Sequence, residues 1–218
     1  MSRNNDHDHH NHGDHHHDSP DGEHEALVIE DDVGNIDGQI MIDALQSVLI
    51  SKGLLTAPEV TKAIQQLESP GIHLGAKVVA KAWTDPAYKA RLLSNGKSAI
   101  QEIGVSVGEA QIVVVENTPT VHNLITCTLC SCYPRSILGQ PPSWYISKAY
   151  RARTVREPRK VLEEFGVTLS KEIQLIVHDS NADMRYLVLP EPPANFIEMD
   201  LTTLEASIGR DDLIGVSR

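Results

Sequence analysis

The chain has 218 residues, enough for one good core with an extension, and 40% of them are apolar, an ordinary globular fraction. Its net charge of −11 is uneven: residues 1–32 hold ten acids and one base, a net of −9, which leaves the remainder close to neutral. With no basic face to displace counterions, no apolar run of membrane-spanning length and no basic-then-apolar leader, neither nucleic acid nor a membrane is expected as a partner, and a cytoplasmic location is expected.

Residues 1–32 open with "MSRNNDHDHHNHGDHHHDSPDGEHE", which carries eight of the eleven histidines and almost no apolar residue. Such a segment cannot bury enough surface to offset its ordering entropy and is read as a disordered tail with affinity for divalent metal. Residues 33–72 are expected to form a helical arm. Ile36, Ile40, Leu45, Val48 and Leu49 recur at helical spacing before a stop at Gly53. Thr56-Ala57-Pro58-Glu59 has the form of a capping box with an early proline, and Val60, Ile64 and Leu67 continue a second helix to Pro70-Gly71. The apolar stripe of this arm can pack on its own body or on a partner.

Residues 73–218 are expected to form the globular body. From Gly75 to Gly104 the pattern is helical, with breaks near Asp85-Pro86 and Gly96. Strands are predicted at 111–115 and 121–126, the second running into the cysteines, and a loop at 139–142. Helices follow near 143–150 and 157–165 with Gly166 as a stop, then strands at 172–178 and 184–189 and a short helix near 200–208. The fold class is α+β: a helical N-terminal arm followed by a layered α/β globular domain.

All three cysteines fall in "TCTLCSCYP", as Cys127, Cys130 and Cys132. Clustered thiols are a poor disulfide framework; in a reducing compartment they bind metal or react. A structural zinc site wants four ligands, and the only nearby fourth candidate is His122; iron–sulfur clusters also want four sulfurs. Backbone nitrogen supplies the missing donors. If the amides of Ser131 and Cys132 give up their protons, Cys132 N and Sγ close a five-membered chelate, and Ser131 N with Cys130 Sγ closes a six-membered one. Cys127 adds the third sulfur. Three sulfurs and two anionic nitrogens leave a sixth octahedral position open and favour a small trivalent ion, Co(III) or Fe(III), over zinc.

"VENTPTVHNLITCTLCSCYP" and "WYISKAYRARTVREPRKVLEEFG", with "HLGAKVVAKAWTDPAYKARLL", "RYLVLP" and "RDDLIGV", resemble the nitrile hydratase α-subunit family over about residues 36–217. The resemblance implies that family's fold. It also implies an αβ heterodimer, or a heterotetramer of such pairs, with the site at the interface, and a cobalt-delivery activator protein. The implied metal ligands are Cys127, Cys130 and Cys132 through sulfur and Ser131 and Cys132 through nitrogen. Cys130 would be oxidised to sulfinate and Cys132 to sulfenate. Catalysis would fall to Cys132, Cys130 and Ser131, converting a nitrile to an amide by hydration, with the Cys132 sulfenate or a metal-activated water as nucleophile. Thr128 and Tyr133 match the cobalt members, so one Co(III) per chain is favoured over Fe(III). Tyr133 and the loop at 135–142 would line the way in.

Two positions depart from that pattern. Arg135 stands where the family commonly has Trp, and Val107-Gly108-Glu109 stands where it has Gln-Gly-Glu, with Gln111 just beyond. Arginine at the first place also occurs in the related thiocyanate hydrolase γ subunits, and a cation there suits an anionic substrate. Arg151, Arg153 and Arg156 lie on one predicted helix, where they can meet partner carboxylates or solvent. Trp83 and Trp144 are read as packing residues. Besides nitrile hydratase, the sequence leaves a thiocyanate hydrolase γ subunit and a non-catalytic zinc- or cobalt-binding carrier as readings.

Overall fold

The computed structural model describes residues 36–217. The His/Asp-rich tail expected over 1–32 lies outside the described residues, as do the side chains of Ile36 and Leu67. The arm helices are α1 (Ile36–Ser51) and α2 (Ala57–Glu68). The capping box is present: Thr56 Oγ1 accepts from Glu59 N and the Glu59 carboxylate accepts from Thr56 N at 2.8 Å. Ile40, Met41, Leu45 and Ile64 are all exposed.

The expected breaks fall where proline, asparagine and glycine place them. Helices α3 (Ile72–Thr84), α4 (Pro86–Ser94) and α5 (Gly96–Glu102) follow one another. Asp85 caps α4 by accepting from Tyr88 N, and Asn95 caps α5 by accepting from Ser98 N. The strands are β1 (Gln111–Glu116), β2 (Val121–Thr126), β3 (Gln174–Asp179) and β4 (Met184–Leu189). They pair in parallel as two ribbons, β1 with β4 and β2 with β3, the second in the register Val121↔Gln174 to Thr126↔Asp179. The crossover from β2 to β3 carries the cysteines, then α6 (Arg135–Leu138), α7 (Ser143–Ile146), α8 (Lys148–Arg156) and α9 (Pro158–Glu164). Both strands of the β2–β3 ribbon therefore end at the cysteine loop, where open parallel sheets form ligand sites.

The structure departs from expectation in the helices. The one near 143–150 is two, because Ser147 leaves helical geometry and caps α8 by accepting from Tyr150 N. The stretch at 135–142 opens with a helical turn. After α10 (Leu201–Ala206) comes an unforeseen α11 (Arg210–Ile214).

The core gathers Val78, Val79, Tyr88, Leu92 and Ile100 from the helices with Leu124, Ile125 and Leu187–Leu189 from the strands. Each such side chain contributes about 1.5–3 kcal/mol of burial. Trp144 packs edge-on against Tyr150 (4.9 Å) and Phe165 (4.8 Å), and Trp83 donates to Pro190 O, so both tryptophans are packing residues. No helix among the described residues is long and apolar enough to cross a membrane.

Two buried polar residues break the apolar reading of β2 and are answered elsewhere. His122 Nε2 bonds Gly215 O at 2.8 Å. Asn123 Nδ2 donates to Glu116 O at 2.8 Å and Asn117 Oδ1 at 3.0 Å. Gly215 ends α11 with φ 86°, and a Cβ there would stand 1.9 Å from Asn123 O. Gly215→Ala adds a left-handed penalty to that clash, so a loss of about 3 kcal/mol or more is expected in chemical denaturation.

On the neighbouring strand, His178 Nε2 meets Asn123 Oδ1 at 2.8 Å and its ring lies 4.9 Å from Tyr186. Burial holds His178 below its ordinary value of 6.5, so the folded state prefers the neutral ring. Its contribution is present above pH 6.5 and is lost as pH falls through the depressed folded value. Thermal unfolding from pH 7 downward should therefore show a smaller acid loss in His178→Gln than in the parent chain.

Candidate metal centre

Strand β2 delivers Cys127 directly from the ladder, because Ser180 N continues the ribbon by donating to Thr126 O at 2.8 Å. The chain then turns tightly, with Cys130 N donating to Cys127 Sγ at 3.3 Å. This turn brings the sulfurs together: Cys127 Sγ lies 3.2 Å from Cys130 Sγ, which lies 2.8 Å from Cys132 Sγ. Both separations exceed a disulfide bond, and the three cysteines are unbridged. Cys127 and Cys132 are buried and Cys130 is exposed.

The electrostatics of the cluster are those of sulfurs sharing protons. Cys130 is held below the ordinary thiol value, first by the Cys132 thiol, then by the Cys127 thiol, and further by the amides of Cys132 and Ser131. Cys132 is pushed up to about 12 by burial and by the neighbouring sulfurs, with Arg185 opposing. The cluster therefore resists accumulating negative charge unless a cation joins it. Three soft donors within 4.8 Å of one another fit a thiolate-bound metal ion.

Residues that the sequence did not assign to the site pin the loop. Asp179, at the end of β3, accepts from Thr128 N at 2.8 Å and Thr128 Oγ1 at 2.6 Å. Arg151 Nη1 donates to Cys130 O at 3.3 Å and Thr128 O at 3.5 Å. Tyr145 Oη donates to Cys132 O at 2.9 Å, and burial pushes this phenol far up, so it stays a donor at all ordinary pH. Tyr150 Oη secures Ile125 O behind the loop at 2.7 Å.

An open pocket of about 480 Å³ lies over the cluster, lined by Glu109, Cys130, Ser131, Cys132, Arg135 and Arg185 among others. Arg185, from the start of β4, has Nε and Nη1 buried there without a hydrogen-bond partner among the described residues. Arg135 is exposed at the mouth. Glu109 does not face the sulfurs alone: its carboxylate accepts from Ser136 N and Oγ and so anchors α6.

Several residues weighed in the sequence lie elsewhere. His122 is engaged with Gly215 and is not grouped with the sulfurs. Val107 is in the apolar core, and Gln111 lines a different groove, beside Lys97. Of residues 135–142 only Arg135 lines the pocket, since Ile137 and Leu138 turn into the core; Tyr133 reaches it, but its ring is buried against Tyr145. Arg153 does not wait for a partner's carboxylate. It is buried with Glu157 (Nε–Oε1, 2.6 Å) and Glu164 (Nη1–Oε2, 3.0 Å).

A family model described as nitrile hydratase, alpha chain, matches residues 37–217. The chain is 48% identical over 181 residues to the α subunit of the low-molecular weight cobalt-containing nitrile hydratase of Rhodococcus rhodochrous, covering 81% of this chain and 86% of that one. It is 38% identical over 193 residues to the γ subunit of thiocyanate hydrolase of Thiobacillus thioparus, covering 83% and 79%. Among solved structures, a double mutant of the Fe-type nitrile hydratase from Comamonas testosteroni Ni1 superposes with a TM-score of 0.79 at 43% identity, covering 85% of this chain and 91% of that one. With a three-sulfur cluster at the end of a parallel ribbon and a match running almost the whole length of the body, the chain belongs to the nitrile hydratase α-chain family.

Proposed function

We propose that this chain is the metal-binding subunit of a cobalt nitrile hydratase, adding one water across R–C≡N to give R–C(O)NH₂. The observation that carries the reading is the convergence of three sulfurs beneath an open pocket. The close relatives named as cobalt-containing favour Co(III) at one ion per chain over Fe(III).

Cys127, Cys130 and Cys132 would hold the ion through sulfur, and Ser131 and Cys132 through nitrogen. Bound there, the ion supplies Lewis acidity toward a nitrile nitrogen or a water. The chain's own residues do the rest. Asp179, Arg151 and Tyr145 keep the loop from relaxing, and Arg185 faces oxygen added to the sulfurs. With Cys130 as sulfinate and Cys132 as sulfenate, the Cys132 oxygen is a nucleophile at the pocket floor. Ser131 adds its hydroxyl beside them.

A β subunit is the proposed partner. Leu129, 87% exposed at the tip of the cysteine loop, and the bare apolar residues of α1 and α2 are surfaces for it to cover. In this reading residues 1–32 are a tail, 33–72 an arm and 73–218 the catalytic body of a cytoplasmic αβ complex supplied with cobalt by an activator protein.

The guanidiniums of Arg135 and Arg185 favour a second reading, a thiocyanate hydrolase γ subunit, because two cations suit an anionic substrate. The test is to purify the chain with its partner, measure metal, and assay an aliphatic nitrile and thiocyanate side by side. About one cobalt per chain, added oxygens on the 127–132 peptide and amide from the nitrile are expected. Turnover of thiocyanate alone would select the second reading. One tetrahedral zinc with unmodified sulfurs would leave a carrier.

A further inference from the structure

We propose that Arg151 is the positioning residue that carries the backbone charge of this centre. Its guanidinium, on the Cys130 carbonyl oxygen, compensates the negative charge that the Cys130–Ser131 peptide acquires when the Ser131 nitrogen exchanges its proton for a metal ion. The inference rests on the reading that the Ser131 nitrogen is a ligand.

The carbonyl of Cys130 and the nitrogen of Ser131 belong to one planar, conjugated peptide group. When that nitrogen releases its proton to solvent and takes a metal, part of the charge left behind resides on the carbonyl oxygen. Arg151 Nη1 stands 3.3 Å from that oxygen. The same nitrogen reaches Thr128 O at 3.5 Å, so the guanidinium spans the turn between the first two cysteines.

Its placement is built rather than incidental. Arg151 Nε donates to Ser147 O at 3.3 Å, and Ser147 is the residue that starts α8 by accepting from Tyr150 N. The non-helical Ser147 that splits the predicted helix is thus what aims the arginine back at the loop. Two carbonyls of the loop receive donors of different charge. The Cys132 carbonyl, whose peptide nitrogen is Tyr133 N and not a proposed ligand, receives the neutral phenol of Tyr145 at 2.9 Å. The Cys130 carbonyl, whose peptide nitrogen is needed for the metal, receives the cation. On the other side of the turn Asp179 fixes Thr128 N and Oγ1, so the loop is held between an anion on its amide side and a cation on its carbonyl side. Arginine suits this role because it cannot lose its charge.

The test uses the cobalt-grown complex of this chain with its partner. X-ray absorption at the cobalt edge first counts neighbours in the parent protein. A sulfur-only shell would remove the ligand reading itself, whatever Arg151 does. With nitrogen present in the shell, cobalt retained after challenge with a chelator is compared among variants whose co-purification and circular dichroism match the parent. Arg151→Met is expected to retain about tenfold less cobalt, and Arg151→Lys, which keeps the charge, to stay within about threefold of the parent. Parent-like retention in Arg151→Met overturns the proposal. So does an equal loss in Arg151→Lys, which would make the contact a matter of shape. Should Arg151→Met not assemble, Arg151→Gln keeps a hydrogen-bond donor without charge: loss of cobalt supports the proposal and parent-like retention overturns it.

Discussion

Cys130→Ser is expected to lower nitrile hydration by about 10³-fold or more and to leave the chain with little bound cobalt. Cys130 is the middle sulfur, 3.2 Å from one neighbour and 2.8 Å from the other, and its neighbours hold its thiol below the ordinary value. A serine oxygen is a hard donor that keeps its proton at neutral pH, so the substitution removes a ligand, a chelate ring and a site of sulfur oxidation together. A loss of 10³-fold corresponds to about 4 kcal/mol, which a change in packing alone does not explain here because Cys130 is exposed. Denaturation of the variant should agree with the parent within about 0.5 kcal/mol when both are compared without metal. Retention of most turnover, with cobalt still bound, would remove the central sulfur from the mechanism.

The separation between a stable fold and a fragile site also explains what the sequence could and could not disclose. Strands at 111–115, 121–126 and 184–189 and the breaks at Asp85-Pro86 and Gly96 were legible, because periodicity, proline and cap residues act locally. The cluster was legible for the same reason: Cys127, Cys130 and Cys132 lie within one turn of chain, so their spacing nearly fixes their meeting. The supports were not. Asp179 and Arg185 come from β3 and β4, 47 and 53 residues beyond Cys132, and reach the loop only because the strands pair in parallel. Arg151 looked like one of three surface cations on a helix; which of them reached the cysteine loop depended on Ser147 interrupting that helix. Arg153 shows another outcome, buried and paired with Glu157 and Glu164 of its own chain. His122 was a fourth-ligand candidate only by proximity in sequence; it bonds Gly215, at the end of the late α11, in the structural role usual for a lone strand histidine.

Arg185 carries the second large effect, and its sign differs between activity and stability. Nε and Nη1 are buried over the cysteines without a partner among the described residues, and the cation acts on Cys132. Leaving such donors unsatisfied costs about 1–3 kcal/mol in a folded protein, so their orientation is explained by something anionic arriving at the pocket floor. Oxygen on an oxidised Cys132 or Cys130 meets that need without any further residue of this chain. Arg185→Met should therefore lower kcat for a nitrile by about 10²-fold, the effect of removing one prearranged donor from a charged centre, while KM changes little. In the unmodified, metal-free chain the same substitution should leave stability unchanged or raise it by about 1 kcal/mol, because it removes two buried donors that have no partner among the described residues. Arg185→Lys should recover part of kcat and little of the bidentate geometry. Arg135→Ala, at the exposed mouth, should alter nitrile turnover by no more than a few-fold, since an exposed cation is screened by solvent. A destabilised Arg185→Met chain with parent-like kcat would reverse both signs and make Arg185 a structural residue, with the sulfurs taking their charge partner from elsewhere.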